Sequence, residues 1–249
     1  MKSYDDTFGE DINYYMDDVP GRLRYLAKSY IWTSSVLEGV IDFAVDSFQF
    51  RNEILYASKE NLQFIAEHFK KENPKKFRKK TDITFVGIHN RRGDHLDYQK
   101  EGGYVTLDPG YFLNAMESFR EKYKRVVFVY VSDDMDWGKQ KIKKRLKTKD
   151  FYLAGSLIDP QLASVPKLAA AYDLSLLSLC NHTITSYGTY SFWAGFLAGQ
   201  AKGVRIIPAF FPKYKLPSQV SYHFQVEPFT SKLPRFYFGM KFFRWYFEI

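Results

Sequence analysis

From residue 83 onward, short continuous apolar runs alternate with longer amphipathic stretches. That alternation constrains the fold more than any other feature of the chain. "ITFVGI" (83–88), "VVFVYV" (126–131), "FYLA" (151–154), "HTIT" (182–185) and "GVRIIPAF" (203–210) read as strands. Apolar runs of this length, without polar alternation, suit strands buried on both faces. Between them, "DPGYFLNAMESFREKY" (108–123), "DWGKQKIKKRLK" (136–147), "VPKLAAAYDLSLLSLC" (165–180) and "YSFWAGFLAG" (190–199) read as helices. Asp108 is placed to cap the first helix, and Pro109 suits its first turn. Phe112, Met116, Phe119 and Tyr123 share one of its faces. The second helix is cationic toward its C-terminus, where the macrodipole favours cations. Strands alternating with helices imply right-handed crossovers and a mostly parallel sheet. Residues 81–210 are therefore expected to form a five-stranded, doubly wound α/β domain.

The flanking segments are less regular. Residues 1–80 read as helical and irregular. Their best helix is "SKENLQFIAEHFKKE" (58–72), with Ser58 as its N-cap and Leu62, Ile65 and Phe69 as its apolar stripe. "NPKKFRKK" (73–80) has the composition of a linker. Residues 211–249 form an aromatic and basic tail to which no element is assigned. The first residues are acidic and polar, without an apolar core of a signal peptide. No run of about 18 apolar residues is present to span a bilayer. Any membrane anchor is expected outside this chain. Cys180 is the single cysteine, which excludes an internal disulfide.

The net charge of +8 suggests an anionic partner, but its distribution is local. Residues 70–80 hold seven bases and one acid, and residues 139–149 hold seven bases and no acid. These two stretches exceed the net total, so the remainder is net acidic. Solvated helix or linker faces account for them more simply than a nucleic-acid footprint.

In a doubly wound sheet, ligands bind beyond the carboxyl ends of the strands. Three polar tips follow strands here. His89, Asn90, Arg91, Arg92, Gly93, Asp94, His95 and Asp97 follow the first. Ser132, Asp133 and Asp134 follow the second. Ser186, Tyr187, Gly188, Thr189, Tyr190 and Ser191 follow the fourth. Guanidinium groups pair with phosphate oxygens in a planar, two-pronged geometry, so Arg91 and Arg92 suit a diphosphate. Asp94 can hold one arginine in place. The third tip enters a helix, whose first N–H groups attract anions. Asp133 and Asp134 can accept from ribose hydroxyls or a base edge. Taken singly, each tip has a plainer reading. Arg-Arg-Gly-Asp can be a surface turn with an ion pair, Ser-Asp-Asp a helix cap, and the third tip a strand-to-helix loop. His89 can be a satisfied buried histidine. Their joint position favours a site for a nucleoside diphosphate group. The chain has no GxGxxG fingerprint, no GxxxxGK[ST] loop, no Cys/His zinc cluster and no GxSxG elbow.

"FVGIHNRRGDHL" (85–96) resembles the HxRRxD motif of GDP-fucose-dependent fucosyltransferases, in particular the galactoside α-1,2-fucosyltransferases of glycosyltransferase family 11. "VFVYVSDDMDWGKQKI" (127–142) and "DLSLLSLCNHTITSYGTYSFWAGFLAG" (173–199) are similar to two further blocks of that family, in the same order. The resemblance implies a GT-B type glycosyltransferase whose Rossmann-like C-terminal domain binds the donor. It implies GDP-β-L-fucose as donor, transfer with inversion to the 2-hydroxyl of a terminal galactose on a glycan, and no metal requirement. Animal members are Golgi membrane proteins, so a lumenal Golgi location follows from it. Carried over residue by residue, Arg91 binds the GDP phosphates, and His89 is a further donor-binding residue. Arg92 and Asp94 support that loop, and Ser186, Gly188 and Thr189 line the phosphate end. Asp133 meets the nucleoside. Arg91 is the expected catalytic electrostatic group, with His95 and Asp97 as the nearest candidate bases. About eighty residues precede the first motif, so the N-terminal, acceptor-binding part is expected to be reduced or truncated. The Asn181-His182-Thr183 sequon lies between a helix and a buried strand, where glycosylation is not expected. Two alternatives stay open on the sequence. One is a GDP-sugar-binding pseudoenzyme without turnover. The other is a basic nucleic-acid-binding protein.

Overall fold

The computed structural model describes residues 45–77, 82–97, 106–199, 203–208 and 226–229, the last of these as backbone. The elements in chain order are α1 (Asn52–Glu72), β1 (Thr84–Asn90), α2 (Pro109–Lys122), β2 (Val126–Ser132), α3 (Met135–Trp137), β3 (Phe151–Leu153), α4 (Pro160–Ala163), α5 (Pro166–Ser178), β4 (His182–Thr185), α6 (Thr189–Leu197), β5 (Arg205–Pro208) and β6 (Val226–Phe229). The strands form one sheet in the order β3-β2-β1-β4-β5-β6, and every neighbouring pair is parallel. The chain starts at the centre, winds outward through β2 and β3, then returns to lay β4 on the other side of β1. This is the Rossmann strand order, and its switch point falls between β1 and β4.

Five strands were expected, and the sheet of the described residues has six. The sixth, β6, lies in the stretch 211–249 read as a tail, and it pairs with β5 from Arg205↔Val226 to Pro208↔Phe229. "VEPF" is short and carries Pro228, which an edge strand tolerates but which breaks the apolar signature of an interior one.

Both faces of the sheet are covered, which is why the central strands read as unbroken apolar runs. All seven residues of β2 are buried. Its Val126, Phe128 and Tyr130 join Val86 and Ile88 of β1 against Tyr111, Phe112, Ala115, Met116 and Phe119 of α2. Its Val127, Val129 and Val131 face the other way, into a cluster with Ile54, Leu62, Ile65 and Phe69 of α1 and Tyr172, Leu176 and Leu177 of α5. The period-2 alternation of a strand thus serves two separate cores. The first turn of α2 is closed as expected, with Asp108 Oδ1 accepting from the Tyr111 N–H at 3.0 Å.

Two local expectations are corrected. The first helix begins at Asn52, so Ser58 is not its N-cap. Ser58 is buried in mid-helix, and its hydroxyl donates to the Ile54 carbonyl at 2.8 Å, the back-bond open to a serine inside a helix. The segment after β2 is not one regular helix. Three helical residues, Met135–Trp137, widen into a π-helical turn over Gly138–Ile142 and tighten into a 3₁₀ turn over Lys143–Arg145. The widened turn sets Ile142 fully into the core. The closely spaced lysines put like charges at i,i+4 along a regular helix there, as at Lys139 and Lys143, which destabilise it. Asn181 is exposed, and its Oδ1 accepts the Phe85 N–H at 2.8 Å. No helix of the described residues is long and apolar enough to cross a membrane.

Candidate active site

The three polar tips meet at the carboxyl edge of the sheet, and hydrogen bonds tie them together. The Arg91 N–H donates to Ser186 Oγ at 2.8 Å, and the Arg92 N–H donates to Asp133 Oδ1 at 2.7 Å. The β1 tip is therefore fastened on one side to the end of β4 and on the other to the end of β2. Ser132 strengthens the second fastening. Its hydroxyl donates to the Asn90 carbonyl at 2.6 Å and accepts from the Asp134 N–H at 3.0 Å.

The two arginines have different surroundings. Arg91 makes two ion pairs, with Asp94 Oδ1 at 2.7 Å and Asp133 Oδ2 at 2.9 Å, and its side chain is 42% exposed. Arg92 pairs with Asp134 Oδ2 at 3.3 Å, its guanidinium lies 4.3 Å over the Trp137 ring, and its side chain is 13% exposed. Asp94 thus holds Arg91, and Arg92 pairs with Asp134. The turn closes with the Leu96 N–H on the Arg92 carbonyl, which brings Arg91 and Asp94, three residues apart, together. The indole face of Trp137 gives Arg92 a planar partner instead. Of the pair, Arg91 presents more of its guanidinium to an incoming anion. Both oxygens of Asp133 are engaged within the loop, by Arg91 and by the Arg92 backbone. Gly93 makes this approach possible, since a Cβ there would lie 2.6 Å from Asp133 Oδ2.

His89 lies beneath the tip. It is buried, its Nδ1 is 2.7 Å from Ser191 Oγ, and its ring centroid is 4.9 Å from that of Tyr190. Ser191 also donates to the Tyr187 carbonyl at 3.1 Å. With its one proton there, Ser191 receives the proton of His89 Nδ1. Burial above all, then the charges of Arg91, Arg205 and His95, push His89 down to about 3, so it is neutral at physiological pH. His95 is half-buried on the turn after the arginines, and its pKa is lowered, first by burial and then by Arg91, against the pull of Asp94 and Asp133. Asp97 is exposed on the same turn.

The third tip carries the backbone feature of the site. Gly188 sits at φ +109° and ψ 158°, a region open to glycine alone, and immediately precedes α6. No side chain caps α6, so Thr189 and the residues after it begin a helix whose first N–H groups no cap covers. Such a terminus attracts anions. A Cβ built on Gly188 lies 3.9 Å from His95 Nε2, so the first and third tips face each other.

Two residues that the strand-end argument passed over support this edge. Arg205 of β5 is 7% exposed, donates from Nε to Thr185 Oγ1 at 3.1 Å, and places its guanidinium 5.5 Å from the centre of the Phe192 ring. It adds a fixed charge behind His89. Its signal was one arginine inside the apolar run "VRIIP". Asp173 of α5 accepts from the Ser156 N–H at 2.6 Å and from the Ser156 hydroxyl at 2.9 Å, pinning the loop that follows β3. Burial raises its pKa to about 6, against those two hydrogen bonds. Its signal was an acid in the otherwise apolar "AAAYDLSLL".

A parallel sheet in Rossmann order, with paired arginines and an uncapped helix at its switch point, is suited to hold the diphosphate of a nucleotide. Residues 39–225 match glycosyl transferase family 11, and the chain belongs to that family. It is 39% identical over 117 residues to galactoside alpha-(1,2)-fucosyltransferase 2 of Mus musculus, covering 47% of this chain and 31% of that protein. It is 42% identical over 118 residues to galactoside alpha-(1,2)-fucosyltransferase 1 of Homo sapiens, covering 47% and 29%. The same enzyme of Sus scrofa is 42% identical over 119 residues, again 47% and 29%. The chain thus matches less than a third of the length of these curated relatives. These likenesses support neither the nucleic-acid reading nor the pseudoenzyme reading.

Proposed function

We propose that this chain carries the donor-binding half of an α-1,2-fucosyltransferase. The substrates are GDP-β-L-fucose and a glycan ending in galactose. The observation that carries the reading is the half-exposed Arg91 guanidinium, fixed at the switch point by Asp94, Asp133 and Ser186 beside the uncapped start of α6. In the reaction, the bond between the anomeric carbon of fucose and the diphosphate oxygen breaks. The 2-hydroxyl of galactose attacks the same carbon from the opposite face, which inverts it, and gives up its proton. The sugar passes through an oxocarbenium-like state while negative charge grows on the departing diphosphate. Arg91 and the first N–H groups of α6 stabilise that charge, preorganised by the hydrogen bonds already in place. His89 shapes this surface from below through Ser191. Arg92, Asp94, Ser186, Gly188 and Thr189 hold its backbone, and Asp133 steers the nucleoside-facing loop. Asp97, exposed on the turn after the arginines, is a candidate to receive the acceptor proton.

No metal is required in this reading. Arg91 supplies the positive charge a cation would otherwise bring, and Asp133 and Asp134 are engaged by arginines. The reading further implies a GT-B architecture and a place in the Golgi lumen. Calorimetric titration tests the donor, with GDP binding more tightly than UDP or CDP. Transfer from radiolabelled GDP-fucose to a galactose-terminated acceptor tests the reaction, and it persists in EDTA. Equal affinity for the three nucleotides overturns the GDP assignment. Loss of transfer in EDTA with recovery on manganese overturns metal independence and makes Asp133 and Asp134 candidate ligands.

A further inference from the structure

The position of His95 assigns it a part that differs from general base. Its turn follows directly on Arg91–Asp94, and its Nε2 faces Gly188, at the mouth of the uncapped α6. It therefore stands on the same side of the site as the groups that receive the diphosphate. In an inverting displacement the acceptor hydroxyl enters from the opposite face of the sugar, away from the leaving group. A base for that hydroxyl belongs at the far end of the reaction axis, which His95 does not occupy.

We propose that His95 is a third diphosphate-binding group, beside Arg91 and the start of α6, and that its imidazole takes up a proton as the donor binds. The proposal rests on the reading of this edge as a GDP-sugar site. In the free protein, the charged groups that act on His95 include Arg91 and Asp94 on its own loop and Asp133 at the end of β2. The two carboxylates are already paired with Arg91, so their pull on a His95 proton is partly cancelled. Burial and Arg91 prevail, and the ring is held below its ordinary value of about 6.5. A diphosphate changes that balance. It brings negative charge to the mouth between His95 and Gly188, neutralises Arg91, and offers oxygens that the protonated ring can bond. Binding then consumes a proton at any pH between the value of the free ring and that of the bound ring. Affinity rises as pH falls through that window, by up to about tenfold per pH unit. Release of GDP returns the proton to solvent.

The test is calorimetric titration of GDP-fucose at pH about 7, in buffers of different ionisation enthalpy, which counts the protons taken up per ligand bound. The diphosphate of a nucleotide sugar is esterified at both ends, so the ligand itself does not titrate near neutrality. The expected result is net proton uptake by the wild-type protein, falling to near zero in His95→Gln, with donor affinity that weakens with rising pH only in the wild type. Uptake that persists in His95→Gln, or binding of GDP-fucose by the wild type without uptake, overturns this inference and leaves the donor assignment standing. Absence of GDP-fucose binding by the wild type overturns both. If His95→Gln melts at too low a temperature to titrate, the wild-type proton count and its pH profile still decide the question.

Discussion

Arg91 and Asp133 join the ends of the two central strands: the guanidinium at the tip of β1 meets the carboxylate at the tip of β2 at 2.9 Å. The pair uses one prong of a planar cation, and Asp94 uses the other. Lysine keeps the charge and loses the fork. Arg91→Lys is expected to fail nearly as badly as Arg91→Ala, lowering kcat by about 10²–10³. Fucose transfer and melting temperature, measured together, check this. A folded Arg91→Lys protein with near-wild-type transfer removes Arg91 from the phosphate site.

Arg92 is expected to behave differently. It stacks on Trp137 and pairs with Asp134, which is itself 40% exposed. Arg92→Lys loses the stacking plane and weakens the pair, at a cost of about 1 kcal/mol in stability. Transfer activity falls far less than in Arg91→Lys. A collapse in transfer with an unchanged melting temperature would instead place Arg92 against the ligand.

Gly188→Ala separates backbone strain from steric conflict. The nearest atom to the new methyl group is His95 Nε2 at 3.9 Å, an ordinary contact. The cost comes from holding an alanine at φ +109°, about 1–3 kcal/mol. The chain is expected to relieve part of it by re-aiming the start of α6, so donor affinity drops along with the melting temperature. Loss of stability with unchanged donor affinity would mean that the α6 terminus does not touch the diphosphate.

Two titratable groups, His89 and Asp173, oppose each other in acid. His89 is held down at about 3, so between its unfolded value near 6.5 and about 3 the unfolded chain binds the extra proton, and His89 costs stability as pH falls. Asp173 is raised to about 6. Between about 6 and its unfolded value near 3.9 the folded chain binds the extra proton, so Asp173 adds stability as pH falls, up to about 2–3 kcal/mol. Asp173→Asn keeps an acceptor for Ser156 and removes the titration. Melting temperature plotted from pH 7 to about pH 4 is expected to fall more steeply in Asp173→Asn than in the wild type. Parallel curves would show that Asp173 is ionised throughout.

The strands of the sheet were legible because burial on both faces leaves an unbroken apolar run, as in Val126–Ser132. The site was legible because three polar tips each followed such a run. What the sequence hid were relations between distant side chains. Arg91 and Arg92 are adjacent and chemically identical. Which one stays more exposed depends on Trp137, 45 positions after Arg92, and on Asp133 reaching past Gly93. Ser58 looked like a helix start because serine favours caps, and the turn of helix upstream of it, at Ile54, overrides that preference. Strand β6 was hidden because an edge strand needs only backbone pairing on one side, and "VEPF" carries no apolar pattern to announce it. Arg205 was hidden by its apolar neighbours, although a charge in a buried strand is itself a reason to look.

The fastening of Arg91 and Arg92 has a consequence for how the chain matures. The partner of the Arg92 N–H is 41 residues downstream and that of the Arg91 N–H is 95. Pairings of such different span do not form together, since the longer loop costs more to close. A nascent chain that has emerged only as far as β3 can set one flank of the tip and leave the other undone. The candidate site is then finished only when β4 slots in beside β1. A ligand bound across both flanks of the tip would therefore act as a seal, selecting sheets closed along the β1–β4 seam from those still open there.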